Sequence, residues 1–133
     1  MECSDHYARC MSVYAVFLGL CGFEYHGPKG HIGFAPRLTP EHFKAAFTAA
    51  EGWGSYEQRI SGSELSASIN VKWGTLELST IALEAPSSAG QVAVELAGLP
   101  VGSSLAMEGN RALITQTSPV RVEKGQALKI LVS

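Results

Sequence analysis

Between Trp53 and Val132 the apolar residues fall at nearly every second position, a period that only β-strands satisfy over such a length. Leu65, Ala67, Ile69, Val71 and Trp73 alternate with Ser66, Ser68, Asn70 and Lys72, as in a strand with one buried and one wet face. Val92/Val94/Leu96, Ala112/Ile114, Val120/Val122 and Leu128/Ile130/Val132 continue the alternation. Between them stand Pro86-Ser87-Ser88, Gly98-Leu99-Pro100, Gly109-Asn110 and Gly125. Short strands punctuated in this way imply a mainly β fold, an antiparallel β-sandwich or barrel, and a sandwich is the expectation carried forward. Gly74 reads as a turn into Thr75–Leu83. There the apolar phase slips from Leu76 and Leu78 to Ile81 and Leu83, implying a bulge or a strand that crosses between sheets.

Residues 1–22 obey a different period. Ser4 can cap a helix with Asp5 in its first turn, and Gly22 can end it, which predicts a helix over residues 4–21. Tyr7, Cys10, Met11, Tyr14, Leu18 and Cys21 keep helical spacing, and Val13, Val16, Phe17 and Leu20 widen the stripe around most of the circumference. Such a helix requires burial on more than one side. The chain therefore divides into a hydrophobic helix, 1–22, and a β-rich domain, 23–133. Exposing Tyr14, Phe17, Leu18 and Cys21 together would leave a large apolar patch, so a homo-oligomer joined through this helix is expected.

Composition removes several function classes. With 46% hydrophobic and 17% charged residues in 133, the chain can build a core, and disorder is excluded. A formal charge of −2 without a basic, aromatic-interleaved patch excludes nucleic acid as a partner. Val13–Cys21 is too short for a membrane span. Acidic Glu2 and Asp5 ahead of it argue against a secretory signal. Cys3 and Cys10 are two helical turns apart, about 10 Å of rise, too far for a disulfide. The three thiols, with Cys21, read as reduced and the location as cytoplasmic.

Local signals fill in the region between. Phe23–His26 and Ile32–Ala35 flank Gly27-Pro28-Lys29-Gly30, a β-hairpin signature. Thr39-Pro40-Glu41 predicts one helical turn through Phe43. Ala45–Ala50 is open between helix and strand, its alanines favouring the first and the Phe43/Ala45/Phe47 alternation the second.

Catalytic and metal-binding patterns are sparse. His26 and His31 could face each other across the hairpin, but no third ligand follows at a recognised spacing, so neither metal nor cofactor is expected. No Gly-x-Ser-x-Gly elbow is present, and the cysteines have no evident activating partner. Among the acids, Glu51 stands out in Ala49-Ala50-Glu51-Gly52-Trp53-Gly54, where Gly and Trp around a carboxylate are like the lining of a sugar site. A plain turn residue between two elements is the alternative.

One longer pattern goes further. Glu2-Cys3-Ser4-Asp5-His6-Tyr7-Ala8-Arg9, Met11–Val16, Gly22–Gly30, Gly33–Leu38 and Phe43–Gly54 together resemble the C-terminal end of bacterial glycoside hydrolases of family 116, which include non-lysosomal glucosylceramidases and β-glucosidases. The resemblance covers about residues 2–59 and is generic beyond. It implies an upstream N-terminal β-sandwich and an (α/α)6 barrel holding both catalytic carboxylates, with the helix of residues 1–22 resembling the last barrel helix. It also implies that Arg9 contacts glucose, and His6 and Glu51 complete the candidate substrate-binding set. On this reading the chain is the C-terminal segment of a glycosidase acting on β-glucosides or glucosylceramide, inactive without a separately encoded catalytic domain. The alternatives are a free-standing β-sandwich module that binds a sugar or a protein, and a non-functional remnant.

Overall fold

The computed structural model describes the chain from residue 2 onward, and its side chains from residue 12. One helix, α1 (Glu2–Cys21), precedes ten strands: β1 (Glu24–His26), β2 (His31–Phe34), β3 (His42–Thr48), β4 (Gly52–Ser61), β5 (Glu64–Glu84), β6 (Val92–Leu96), β7 (Leu99–Val101), β8 (Ser103–Glu108), β9 (Arg111–Glu123) and β10 (Ala127–Val132). The mainly β fold with a single N-terminal helix is as the periodicity implies.

Strand β5 organises the rest. Its first half pairs with β4 and β10. Its second half pairs with β9 and β2. Two sheets therefore share this 21-residue strand: β3-β4-β5-β10-β6-β7 on one side and β1-β2-β5-β9-β8 on the other. All pairs are antiparallel except β2 with β5, where Ile32 lies opposite Ile81 in a parallel ladder. Inward residues of both sheets, among them Ile32, Leu65, Ile69, Leu78, Ile81, Ile114, Leu128 and Ile130, form one buried core. Against it the Phe34 and Tyr56 rings stack with centroids 3.8 Å apart and nearly parallel planes. The Tyr56 hydroxyl donates to Gln58 Oε1 at 2.6 Å, and Gln58 Nε2 donates to the Pro40 carbonyl at 2.8 Å. That chain satisfies two polar groups that burial would otherwise penalise.

Two irregularities re-phase β5. At the first, Trp53 pairs with Trp73 but Gly54 with Val71, so Lys72 is left over and Trp73 turns outward. This corrects the reading that put Trp73 on the buried face. Gly74 is not a turn either: the strand runs on through it at φ +73°, a conformation glycine adopts without strain. At the second, Leu78 pairs with Val120 and Thr80 with Thr115. Ser79 N–H is taken instead by the Gly30 carbonyl at 2.7 Å. The expected phase slip is thus a bulge, in a strand that also crosses between sheets.

The segment after β2 departs from expectation. Thr39-Pro40-Glu41 makes no helical turn. It forms a tight bend in which His42 N–H donates to the Thr39 carbonyl at 3.0 Å and leads straight into β3. Ala45 and Ala46 are strand residues opposite Tyr56 and Ser55, because a seven-residue ladder with β4 outweighs alanine's helical preference. Helix α1 ends where Gly22 enters the left-handed region at φ +56°. Its last carbonyls are capped from the sandwich: Arg37 N–H donates to Leu20 O at 2.9 Å and Ala35 N–H to Cys21 O at 3.1 Å. Cys21 is buried at this junction. Val13 and Val16, one to two turns earlier, are 70% and 61% exposed.

Opposite Ser79, β9 buries Gln116, and neither its Oε1 nor its Nε2 has a hydrogen-bond partner. An orphaned buried amide costs about 1–3 kcal/mol, so Gln116→Met, which keeps the volume and removes the polar atoms, is expected to stabilise the fold by roughly 1 kcal/mol. A higher urea midpoint at unchanged slope is the expected readout. A lower midpoint would mean that the amide has partners in solution.

Candidate functional site

The hairpin β1–β2 carries one cluster of chemistry-bearing residues and borders another. In the first, Arg111 of β9 grips Glu24 of β1 through both guanidinium ends, Nη1 to Oε1 at 2.7 Å and Nη2 to Oε2 at 2.9 Å. His31 of β2 joins with Nε2 3.1 Å from Glu24 Oε2 and Nδ1 2.8 Å from Thr80 Oγ1. The fork of Arg111, with help from His31, holds the Glu24 carboxyl down at about 2. A carboxyl so depressed is the opposite of an acid catalyst. The cluster ties the hairpin to β9 and β5 across the sheet. His26 and His31 are direct partners across the hairpin, as expected. Among the described residues no three ligand-type side chains converge.

The second cluster surrounds Glu51. Below its pairing with β2, the edge of β5 has no partner strand from Leu76 to Leu78. A hollow of about 550 Å³ lies there, between the Gly27–Gly30 turn and the β3–β4 turn. Tyr25, Lys29, Glu51, Thr75, Glu77 and Ser79 supply its polar lining. The turn is held by backbone: Thr75 N–H donates to the Glu51 carbonyl at 3.1 Å and Ala49 N–H to Gly52 O at 2.8 Å. Ala50 N–H donates to the Tyr25 hydroxyl at 3.2 Å, joining the two turns. This volume is that of a small-molecule site, and its lining is richer in polar groups than most.

Three glycines make the turn this tight. A Cβ at Gly54 would run into the Asn70 carbonyl, one at Gly74 into the Glu51 carbonyl, and one at Gly52 to within 2.7 Å of the Trp73 carbonyl. The backbones of β4 and β5 can close up only without those side chains, and their closure presents Trp53 and Trp73 opposite each other on the surface, 50% and 57% exposed. Of the sequence candidates, Glu51 is thus exposed and lines a hollow. The side chains of His6 and Arg9 lie outside the described residues, as do Cys3 and Cys10. The Glu24–Arg111 pair was missed because its partners are 87 residues apart. The exposure of Trp73 was missed because one bulge inverts the alternation, although Gly52, Gly54 and Gly74 around the two tryptophans were its signal.

No family model matches the sequence, and no curated protein matches it. Among solved structures the fold is similar to alpha-L-rhamnosidase from Dictyoglumus thermophilum, with a TM-score of 0.44 and 13% identity over 86% of this chain and 12% of that one. It is also similar to a chain described as a glycoside hydrolase, with a TM-score of 0.43 and 16% identity over 77% of this chain and 16% of that one. The chain spans less than a fifth of either. Neither is described as a glucosylceramidase or a β-glucosidase, and at these scores the likeness carries no argument about activity.

The depressed Glu24 carboxyl gives a pH signature. With a folded value of about 2 against an ordinary 4.5, its contribution is fully present above pH 4.5 and is lost as pH falls towards 2. Glu24 and Arg111 are each nearly half exposed, so screening limits the effect to under about 1 kcal/mol. The urea-midpoint difference between the parent chain and Glu24→Gln is expected to shrink steadily between these limits. A difference constant with pH would mean that the pair is open in solution.

Proposed function

We propose that this chain is the C-terminal segment of a glycosidase acting on β-glucosides or glucosylceramide, working in the cytoplasm beside an (α/α)6 barrel that supplies both catalytic carboxylates. The observation that carries the reading is the division within α1. Its last turn is capped by Ala35 and Arg37 and buries Cys21, whereas Val13, Tyr14, Val16 and Phe17 face solvent. A helix fixed at one end and apolar on its free face is shaped to pack against other helices. The run over about residues 2–59 that resembles the end of family 116 implies which neighbours these are: the remaining barrel helices. Arg9 then reaches the glucose subsite, with His6 and Glu51 as further contacts. In the isolated chain the same face drives self-association into a homo-oligomer.

Retaining hydrolysis needs two carboxyl groups about 5–5.5 Å apart across the scissile bond, one of them with a raised pKa. Glu24, committed to Arg111 with its pKa lowered, can play neither part. The purified chain is therefore expected to show no turnover of an aryl-β-glucoside or of glucosylceramide between about pH 4 and pH 9. Mixed with a family-116 barrel lacking its own C-terminal segment, it is expected to form a complex and restore turnover. Tyr14→Asp and Val16→Asp, both on the exposed face, should abolish complex formation while leaving the β domain folded. No complex with the barrel, together with a clean monomer by sedimentation, would refute the reading. Turnover by the chain alone that disappears in Glu51→Gln would instead make it an enzyme in its own right.

A further inference from the structure

We propose that Trp53, Trp73 and the adjoining hollow around Glu51 form a binding site for a β-linked gluco-oligosaccharide. The site lies on β4 and β5 and shares Glu51 with the substrate contacts proposed above. Trp53 and Trp73 are in-register partners on neighbouring strands and so emerge on the same face. Neither indole stacks on another ring, and neither indole N–H has a partner, among the described residues. Two adjacent indoles, each half in water, are a costly surface feature, unlike a single exposed apolar residue. They are also rigidly mounted: the approach of Gly52, Gly54 and Gly74 to the opposing backbone admits no Cβ and sets the bulge that turns Trp73 outward.

The chemistry around them selects the ligand. Thr48, Glu51 and Lys72 beside the indoles are exposed and polar. Apolar residues of α1 and β3 line a groove that reaches Thr48, opposite Trp53, whereas the side towards Glu51 and Thr75 is polar. Glu51 stands two residues before Trp53, and Thr75 two residues after Trp73, and both line the hollow. Apolar platform and polar cleft are thus about 7 Å apart along both strands. A ligand matching them needs flat C–H faces for the negative faces of the indoles and hydroxyls for the carboxylates of Glu51 and Glu77 and the ammonium of Lys29. A pyranose with all-equatorial substituents has such faces, and β-linkage keeps successive rings in one flat ribbon.

Cellotetraose is the probe, titrated into the ¹⁵N-labelled full chain and followed by amide shifts and by calorimetry. Saturable shifts centred on Gly52, Gly54, Gly74 and Thr75 are expected, with a Kd of about 1 mM or tighter. Trp53→Ala and Trp73→Ala, whose side chains lie outside the core, should each keep the parent far-UV spectrum and weaken binding about tenfold or more. Glu51→Ala should weaken it further than Glu51→Gln, which keeps a hydrogen-bond acceptor. Absence of saturable shifts overturns the proposal, as does undiminished binding in the double tryptophan variant. Because no arm of this experiment touches α1 or needs a barrel, its failure is distinct from failure of the glycosidase reading.

Discussion

The structure depends on one strand serving two sheets. β5 crosses from the β3-β4-β5-β10-β6-β7 sheet to the β1-β2-β5-β9-β8 sheet without a break in the chain, so the core closes around it rather than around a turn. Each crossing strand must change which residues face inward, and β5 does so with two bulges, one beside Gly74 and one at Ser79. Between them Leu76 and Leu78 are buried, before them Leu65 to Val71, and after them Ile81 and Leu83. Both bulges also create surface features. The first exposes the tryptophan pair, and the second leaves Ser79 bonded to Gly30 and opens the hollow between the two turns.

Most of the architecture was legible because periodicity reports burial, and burial decides most strands. The buried face from Leu65 to Val71, the hairpin around Gly27–Gly30 and the helix ending at Gly22 follow from residue order alone. Where the reading failed, a non-local interaction had overridden a local signal. Thr39-Pro40-Glu41 has the composition of a helix start, yet its continuation is claimed by a ladder with β4. Gly74 has the composition of a turn, yet it lies within a strand because the Glu51 carbonyl approaches where its Cβ would be. Of the site, Glu51 could be singled out from its Gly and Trp neighbours. Tyr25, Glu77 and Ser79 could not, because only the parallel pairing of β2 with β5 brings them to it.

The two ends of α1 express different physical demands. Its final carbonyls are satisfied by the sandwich, which makes the last turn part of the β domain's hydrogen-bond inventory. Among the described residues of its earlier turns, Val13 and Val16 are exposed, while Tyr14, Phe17 and Leu18 border a groove with Ala46, Phe47 and Thr48 of β3. Ala35 and Arg37 thus tie the end of the helix to the strands through its own carbonyls.

The parallel pairing of β2 with β5 also orders the assembly of the molecule. His31 meets Thr80 across 49 residues, whereas β3, β4 and β5 succeed one another through short turns, as do β8 and β9. Ladders between neighbours close small loops and carry little entropic cost; the β2 ladder must wait until β5 exists for it to join. The β2–β5 ladder, which carries the Glu24–Arg111 clasp and the end of α1, therefore closes a larger loop than the neighbouring hairpins do, as does the ladder of β10 with β5, where Val132 lies opposite Leu65. The end of α1, held by Ala35 and Arg37 just beyond β2, thus takes its place in the fold only with a non-local ladder and not with a neighbouring hairpin.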